Sequence, residues 1–188
     1  MSGAGTPDFF YREAQRLGYV ARSAFKLLQI QKQYKLIKPG SSILDLGCAP
    51  GAWLQVACQC LGPLNNGGAV VGIDIKKVKV PSLHCDARVQ TVSANVMNLC
   101  KHQVRALSPK GHRHQVNSDS SPDDSGVLQH GGHLVIKLLE SEDVQEFSQI
   151  CKPLFRKASW LRPKATRSSS REIYLICQGL KSVGRIRF

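Results

Sequence analysis

A chain of 188 residues, 42% hydrophobic, is long enough to bury one substantial core and too apolar to be disordered. Its formal net charge of +13 favours a polyanionic partner, with nucleic acid first among the candidates. No apolar run reaches the length of a membrane span, and the start MSGAGTPDFFYREAQ lacks the apolar stretch of a secretory signal. Seven cysteines, an odd set mostly in apolar settings such as VACQC and YLICQG, read as buried reduced thiols of an intracellular protein. Cys58 and Cys60 stand too close together to open a zinc pattern, so no zinc is assigned.

In chain order, residues 9–18 and 22–35 are predicted helices, the second from the helical spacing of apolar positions in SAFKLLQIQKQY. Lys38-Pro39-Gly40 breaks the chain, and SSILDLG follows as a short buried strand ending at Gly47. AWLQVACQCL is a helix closed by PLNNGG, AVVGID a second strand, and residues 82–85 a third. VQTVSANVMNLCKHQVRAL is expected to be helical up to Ser108-Pro109. GGHLVIKLL is another strand, and SEDVQEFSQICKPLF a helix with Ser141 as N-cap and acidic residues in its first turn. KASWLRP and REIYLICQ form the last two strands. This alternation predicts an α/β fold over residues 1–180, with a parallel-rich central sheet and helices on both faces, followed by a basic tail, 181–188.

The stretch DLGCAPGAW, Asp45 to Trp53, lies between a strand and a helix. Gly47 and Gly51 allow a tight turn at which backbone can approach a ligand closely. The spacing is not GxGxxG, and Pro50 would deny one N–H to a pyrophosphate, so NAD fits poorly. Asp74 ends the second strand, where a carboxylate can hold both ribose hydroxyls. Asp86, at the end of the expected third strand, is placed to accept from an adenine amino group. Together these features favour an adenosyl cofactor, with Gly47, Pro50, Gly51, Ala52, Trp53, Asp74 and Asp86 as the candidate binding set.

RSAFKLLQI, DLGCAPGAW, GIDI, GGHLVIK and RPKATRSSSREIY, in that order, resemble the motifs of the FtsJ/RrmJ family of RNA 2′-O-ribose methyltransferases. The resemblance implies a Rossmann-like fold, S-adenosylmethionine as methyl donor and RNA as acceptor, with large-subunit ribosomal RNA favoured over the tRNA anticodon loop. It also implies a Lys-Asp-Lys-Glu constellation, in which Lys26 of SAFKL, Lys137 of HLVIK and Glu172 of SREIY match the lysines and the glutamate. A 2′-hydroxyl must lose its proton as it attacks a sulfonium methyl, and a desolvated lysine beside a second ammonium can take that proton. Lys137 is the candidate base, Lys26 the neighbouring cation, and Glu172 the group that orients a lysine or the ribose.

The resemblance further implies that the aspartate of the constellation belongs to an SDMAP-like motif ending an apolar fourth strand. Here the matching region is GHRHQVNSDSSPDDSG, residues 111–126, where Asp119 is the candidate but its flanks lack the apolar residues of a buried strand. Only about a dozen residues separate Asp119 from Gly131, too few for a crossover with its own helix. The expectation is a segment that replaces a longer one, leaving the sheet without its fourth strand and the following helix. A metal site from His112, His114, Asp119, Asp123 and Asp124 would lack any regular element to preorganise it, so no metal is expected.

Two further readings remain beside the methyltransferase: a noncatalytic module binding cofactor or RNA, and a chain that does not fold stably by itself. A monomer without membrane attachment is expected. An organelle is one candidate compartment for such an enzyme, although no clear presequence supports it.

Overall fold

Asp8 opens the first helix, α1 (Phe9–Leu17), by accepting from the Tyr11 amide at 2.9 Å. Gly18, with φ 77°, closes it: its amide and that of Tyr19 return to the carbonyls of Gln15 and Ala14. The computed structural model describes residues 8–107, 127–141 and 144–181, and the chain forms two compact units, residues 1–111 and 112–188.

In the first unit, α2 (Ala24–Tyr34) buries Ala24, Leu27 and Ile30, one face of a helix. Strands β1 (Ser42–Leu46), β2 (Ala69–Asp74) and β3 (Val89–Ser93) form a parallel sheet in the order β1-β2-β3, with α3 (Ala52–Cys60) linking the first two. The continuous apolar run of β2 suits the middle position, and Val70 and Ile73 are fully buried there. Val70 packs with Leu54, Ala57, Cys58, Leu61 and Val89. Buried Gln55 of α3 ties the surrounding turns together: its side chain accepts from Val20 N and donates to the carbonyls of Gly18 and Leu83.

The third strand is not where the sequence pattern puts it. Residues 82–85 form no strand, and VQTVS, expected to be helical, is β3; a short 3-10 turn (Val96–Asn98) and helix α4 (Lys101–Leu107) follow. Val89, Val92, Val96 and Leu99 are spaced as on a helix face, so periodicity is ambiguous over this stretch. Pairing with β2 decides the outcome, and the β-branched side chains of Val89, Thr91 and Val92 suit the pleated surface.

The second unit holds β4 (Leu134–Leu139), α5 (Val144–Leu154), β5 (Phe155–Leu161) and β6 (Glu172–Leu180). Its sheet, ordered β4-β6-β5, is antiparallel throughout, because residues 162–171 turn directly from β5 into β6 without a crossover helix. Helix α5 is described from Val144, with Glu146 acidic in its first turn; residues 142–143, between it and the expected N-cap Ser141, lie outside the described residues. Leu175 and Cys177 of β6, Cys151 of α5 and Phe155 form the core of this unit.

Among the described residues β1 and β4 each have a single hydrogen-bonded neighbour, and no strand lies between β3 and β4 along the chain. The segment 111–126, with Asp119 and the histidines considered as metal ligands, lies outside the described residues, as does nearly all of the tail beyond Lys181. All seven cysteines are free; four are buried, and Cys100 is exposed. Among the described residues no helix is long and apolar enough to cross a membrane.

Candidate active site

The carboxyl ends of the three parallel strands lie side by side, Leu46 in register with Ile73 and Asp74 with Ser93. The chain leaves β1 through Gly47, whose φ of 82° favours glycine; a Cβ there would meet nothing within 4 Å, so the turn borders open space. The Gly47 amide donates to the Ile73 carbonyl at 2.7 Å, pinning the turn to β2. Gly51, with φ 109°, starts α3 at a point where a Cβ would come within 3.0 Å of the Pro81 ring. Pro50 is exposed, Ala52 faces the core, and the Trp53 indole donates to the Ser23 carbonyl, fastening α3 to the start of α2.

Asp74 accepts from the Lys76 amide at 2.8 Å and the Ala49 amide at 2.9 Å. These bonds hold its carboxyl below the usual range, so it stays ionised, with lone pairs left for hydroxyl donors. Asp45 is different. Its Oδ2 is buried without a hydrogen-bond partner, and burial, with the Asp74 charge adding to it, pushes its pKa up to about 6. Leu46, Ile75 and Met97, at 50%, 67% and 87% exposure, leave apolar surface at the strand ends.

Asp86 requires a correction. It precedes β3 and so stands at the amino end of the sheet, opposite Asp74. Its carboxylate is held by Arg88 at 2.7 Å, which keeps its pKa near 2, and Arg88 also donates to the carbonyls of Gly62, Pro63 and Gly67. Asp86 therefore fastens the entry to β3 and does not lie at the carboxyl ends of the strands. The residue at the carboxyl end of β3 is Asn95, whose Oδ1 accepts from Met97 N at 3.0 Å. Placing β3 at residues 89–93 would have singled it out; misreading that strand concealed it.

In the second unit, Lys137 of β4 and Glu172 of β6 form an ion pair, Nζ to Oε1 3.4 Å. Tyr174, directly opposite Lys137, is buried, and burial, then the Glu172 charge, raises its pKa. Glu172 is also set by the Ser170 hydroxyl, which accepts from its amide at 3.2 Å. Lys26 lies in the first turn of α2, in the other unit. The structure thus brings together two members of the expected constellation, and Asp119 falls outside the described residues.

The family model for FtsJ-like methyltransferases matches residues 19–129 and 124–180. The chain belongs to the FtsJ-like methyltransferase family. It is thereby a methyltransferase by descent, with the α/β fold its motifs imply. Curated relatives agree over nearly their whole lengths. The protein named ribosomal RNA large subunit methyltransferase E of Desulfosudis oleivorans is 33% identical over 196 residues, covering 93% of this chain and 91% of the relative. The protein of the same name in Nitrosopumilus maritimus is 35% identical, covering 92% of this chain and 94% of the relative. Both alignments, at 196 and 189 positions, are longer than the 188-residue chain, so each relative has residues that this FtsJ-like chain lacks. A Plasmodium falciparum structure described as a ribosomal RNA methyltransferase shares the fold with a TM-score of 0.60 at 21% identity, covering 86% of this chain and 98% of that one.

Proposed function

We propose that this chain transfers a methyl group from S-adenosylmethionine to a ribose 2′-hydroxyl of large-subunit ribosomal RNA. The names of its full-length relatives support the substrate, and the Lys137–Glu172 pair carries the reading of the chemistry. S-adenosylmethionine supplies, when bound, an electrophilic methyl on a sulfonium. The carboxyl end of β1 and β2 suits such a group: open space at Gly47, an ionised Asp74 for ribose hydroxyls, and exposed apolar Ile75 and Met97 for a base. Asn95, with its Oδ1 committed to Met97, retains an amide donor for a ring nitrogen.

In its neutral amine form Lys137 accepts the 2′-hydroxyl proton at Nζ, and Glu172 orients that nitrogen. With the Lys137 side chain 58% exposed in the free chain, exclusion of water falls to the bound RNA. Holding the hydroxyl in line with the methyl then provides much of the remaining acceleration.

A second reading keeps the cofactor and RNA but not the transfer. The family match falls in two pieces that meet at residues 124–129, next to the stretch without strand character, and the relatives' alignments are longer than this chain. These observations favour a segment 111–126 that replaces a longer one bearing the aspartate. The test begins with a thermal melt with and without S-adenosylhomocysteine, followed by methyl transfer to undermethylated large-subunit RNA read as 2′-O-methylated nucleoside. A ligand-raised melt with transfer supports the first reading, and a ligand-raised melt with RNA retention but no transfer supports the second. A methylated base in place of a methylated ribose would overturn the first.

A further inference from the structure

We propose that the outer edge of β4 and the flank of α5 above it form a docking surface for a strand-plus-helix segment brought by a second polypeptide. The proposal rests on the reading in which residues 111–126 replace a longer segment, and it names where the absent piece binds when it comes from outside.

β4 has the composition of a central strand and the position of an edge strand. LVIKLL is an apolar run of the kind found where both faces of a strand are covered. Among the described residues it bonds only to β6, and Leu139 is 64% exposed, whereas Leu175, Ile176 and Cys177 of the middle strand are fully buried. The Glu140 amide donates to the Arg171 carbonyl at 2.7 Å, so that pair is hydrogen-bonded and the ladder alternates from there. Leu134, Ile136 and Leu138 therefore turn their amides and carbonyls to β6, and Val135, Lys137 and Leu139 turn theirs to the outer edge. Edge strands are commonly guarded by charge. The one charge in β4, Lys137, is drawn to Glu172 on β6 and leaves the outer edge unguarded.

Helix α5 is apolar on two sides. Val144, Ser148 and Cys151 are buried, whereas Phe147, Ile150 and Leu154 are 44%, 57% and 39% exposed. At about 100° per residue this stripe lies roughly a quarter-turn from the buried side. β4 and β5 both run antiparallel to β6, so α5 crosses between two parallel strands, and in a right-handed crossover that flank overhangs β4. Leu134 and Ile136 of β4 are only partly buried against the core of this unit. One further helix beside α5 would cover stripe and strand together, and one further strand would complete the edge.

The relatives give the size of the occupant. The Desulfosudis oleivorans alignment has 196 positions but takes in 93% of this chain, about 175 of 188 residues, which leaves about 21 positions to the relative alone. The Nitrosopumilus maritimus alignment, at 189 positions and 92%, leaves about 16. Such a length holds one strand of about five residues and one helix of about three turns. The family match breaks at residues 124–129, just before β4. A second copy of this chain lacks the same residues and cannot supply them. An extended apolar segment adds to a sheet edge through backbone bonds, and an amphipathic helix lays its apolar face on an apolar flank. The described residues of this unit hold nine lysines and arginines against three glutamates, so the polar side of the incoming helix is acidic.

The test uses the full chain and a fluorescent peptide. The peptide copies the residues of the Desulfosudis oleivorans relative that fall between the positions aligned with Leu107 and Gly131, with glutamate at the polar positions of its helix. Anisotropy is expected to show saturable binding, and the peptide to raise the melting temperature of the chain. Ile150→Glu, on the exposed flank of α5, and Leu139→Pro, which removes an amide from the outer edge, are each expected to weaken binding about tenfold. The same peptide N-methylated through its strand keeps its composition but cannot pair, and is expected not to bind. Absence of binding, equal binding of the N-methylated peptide, or unchanged affinity in both variants overturns the proposal. A dimer of the parent that Ile150→Glu dissociates overturns it too, because a second copy then occupies the face. Should Leu139→Pro fail to melt cooperatively, Ile150→Glu decides alone, and unchanged affinity overturns the proposal. Peptide binding without methyl transfer to undermethylated large-subunit RNA sinks the proposed catalysis and leaves the docking standing. Transfer by the chain alone, with no peptide bound at any concentration, sinks the docking alone.

Discussion

Lys137 and Glu172 meet on a diagonal: Lys137 is in register with Tyr174 and Glu172 with Leu139, yet Nζ and Oε1 are 3.4 Å apart. Residues two apart on a strand share a face, so Lys137, Tyr174 and Glu172 lie on one side of the sheet. Tyr174, 2% exposed, is buried on that side, directly opposite Lys137 and two residues from Glu172.

Lys137→Ala should abolish transfer while leaving the cofactor half intact. In a chimera carrying a relative's longer segment in place of residues 111–126, kcat is expected to fall roughly 10²–10⁴-fold. The affinity for S-adenosylhomocysteine should stay within about twofold, since Lys137 lies outside the unit with the glycine turn. Single-turnover methylation with the chimera measures the first and calorimetry the second. Full activity would remove Lys137 as the base.

Asp86 and Arg88 are expected to matter for stability and not for the cofactor. Arg88→Ala removes the ion pair to Asp86 and three bonds to the carbonyls of Gly62, Pro63 and Gly67. The cost should be about 2 to 3 kcal/mol in urea unfolding, with S-adenosylhomocysteine affinity little changed. A variant of unaltered stability that no longer binds the ligand would return Asp86 to the cofactor site.

Asn95→Ala should do the reverse and weaken S-adenosylhomocysteine by roughly five- to tenfold, about 1 to 1.4 kcal/mol. Titration of this variant beside Asp86→Ala separates the two ends of β3. Equal affinities in both variants would place the adenosine elsewhere.

Asp45 gives a stability profile of distinctive sign. Its pKa rises from an ordinary 3.8 to about 6 on folding, so the native chain holds the proton that the unfolded chain has released. Stability should therefore fall as pH climbs from about 4 to about 6 and show no further contribution from this group above that window. Asp45→Asn removes the dependence and should gain about 1 to 2 kcal/mol near pH 7.5, measured by urea unfolding across the window. A less stable variant with an unchanged profile would mean that the carboxylate is satisfied in its ionised form.

Sequence alone determined the elements whose pattern is unambiguous. The buried run AVVGID made β2, HLVIKLL made β4, and the glycines of DLGCAPGAW located the turn that borders open space, because these signals depend on local backbone freedom and on burial. The motif match also named Lys137 and Glu172 and implied that they belong to one constellation. Tertiary structure decided three things. It made VQTVS a strand, since pairing with β2 outweighed a helical spacing of valines. It moved Asp86 to the far end of the sheet and put Asn95 in its place, because which end a residue occupies depends on where its strand begins. And it joined Lys137 to Glu172 through the register of β4 on β6, a long-range pairing that no local spacing encodes.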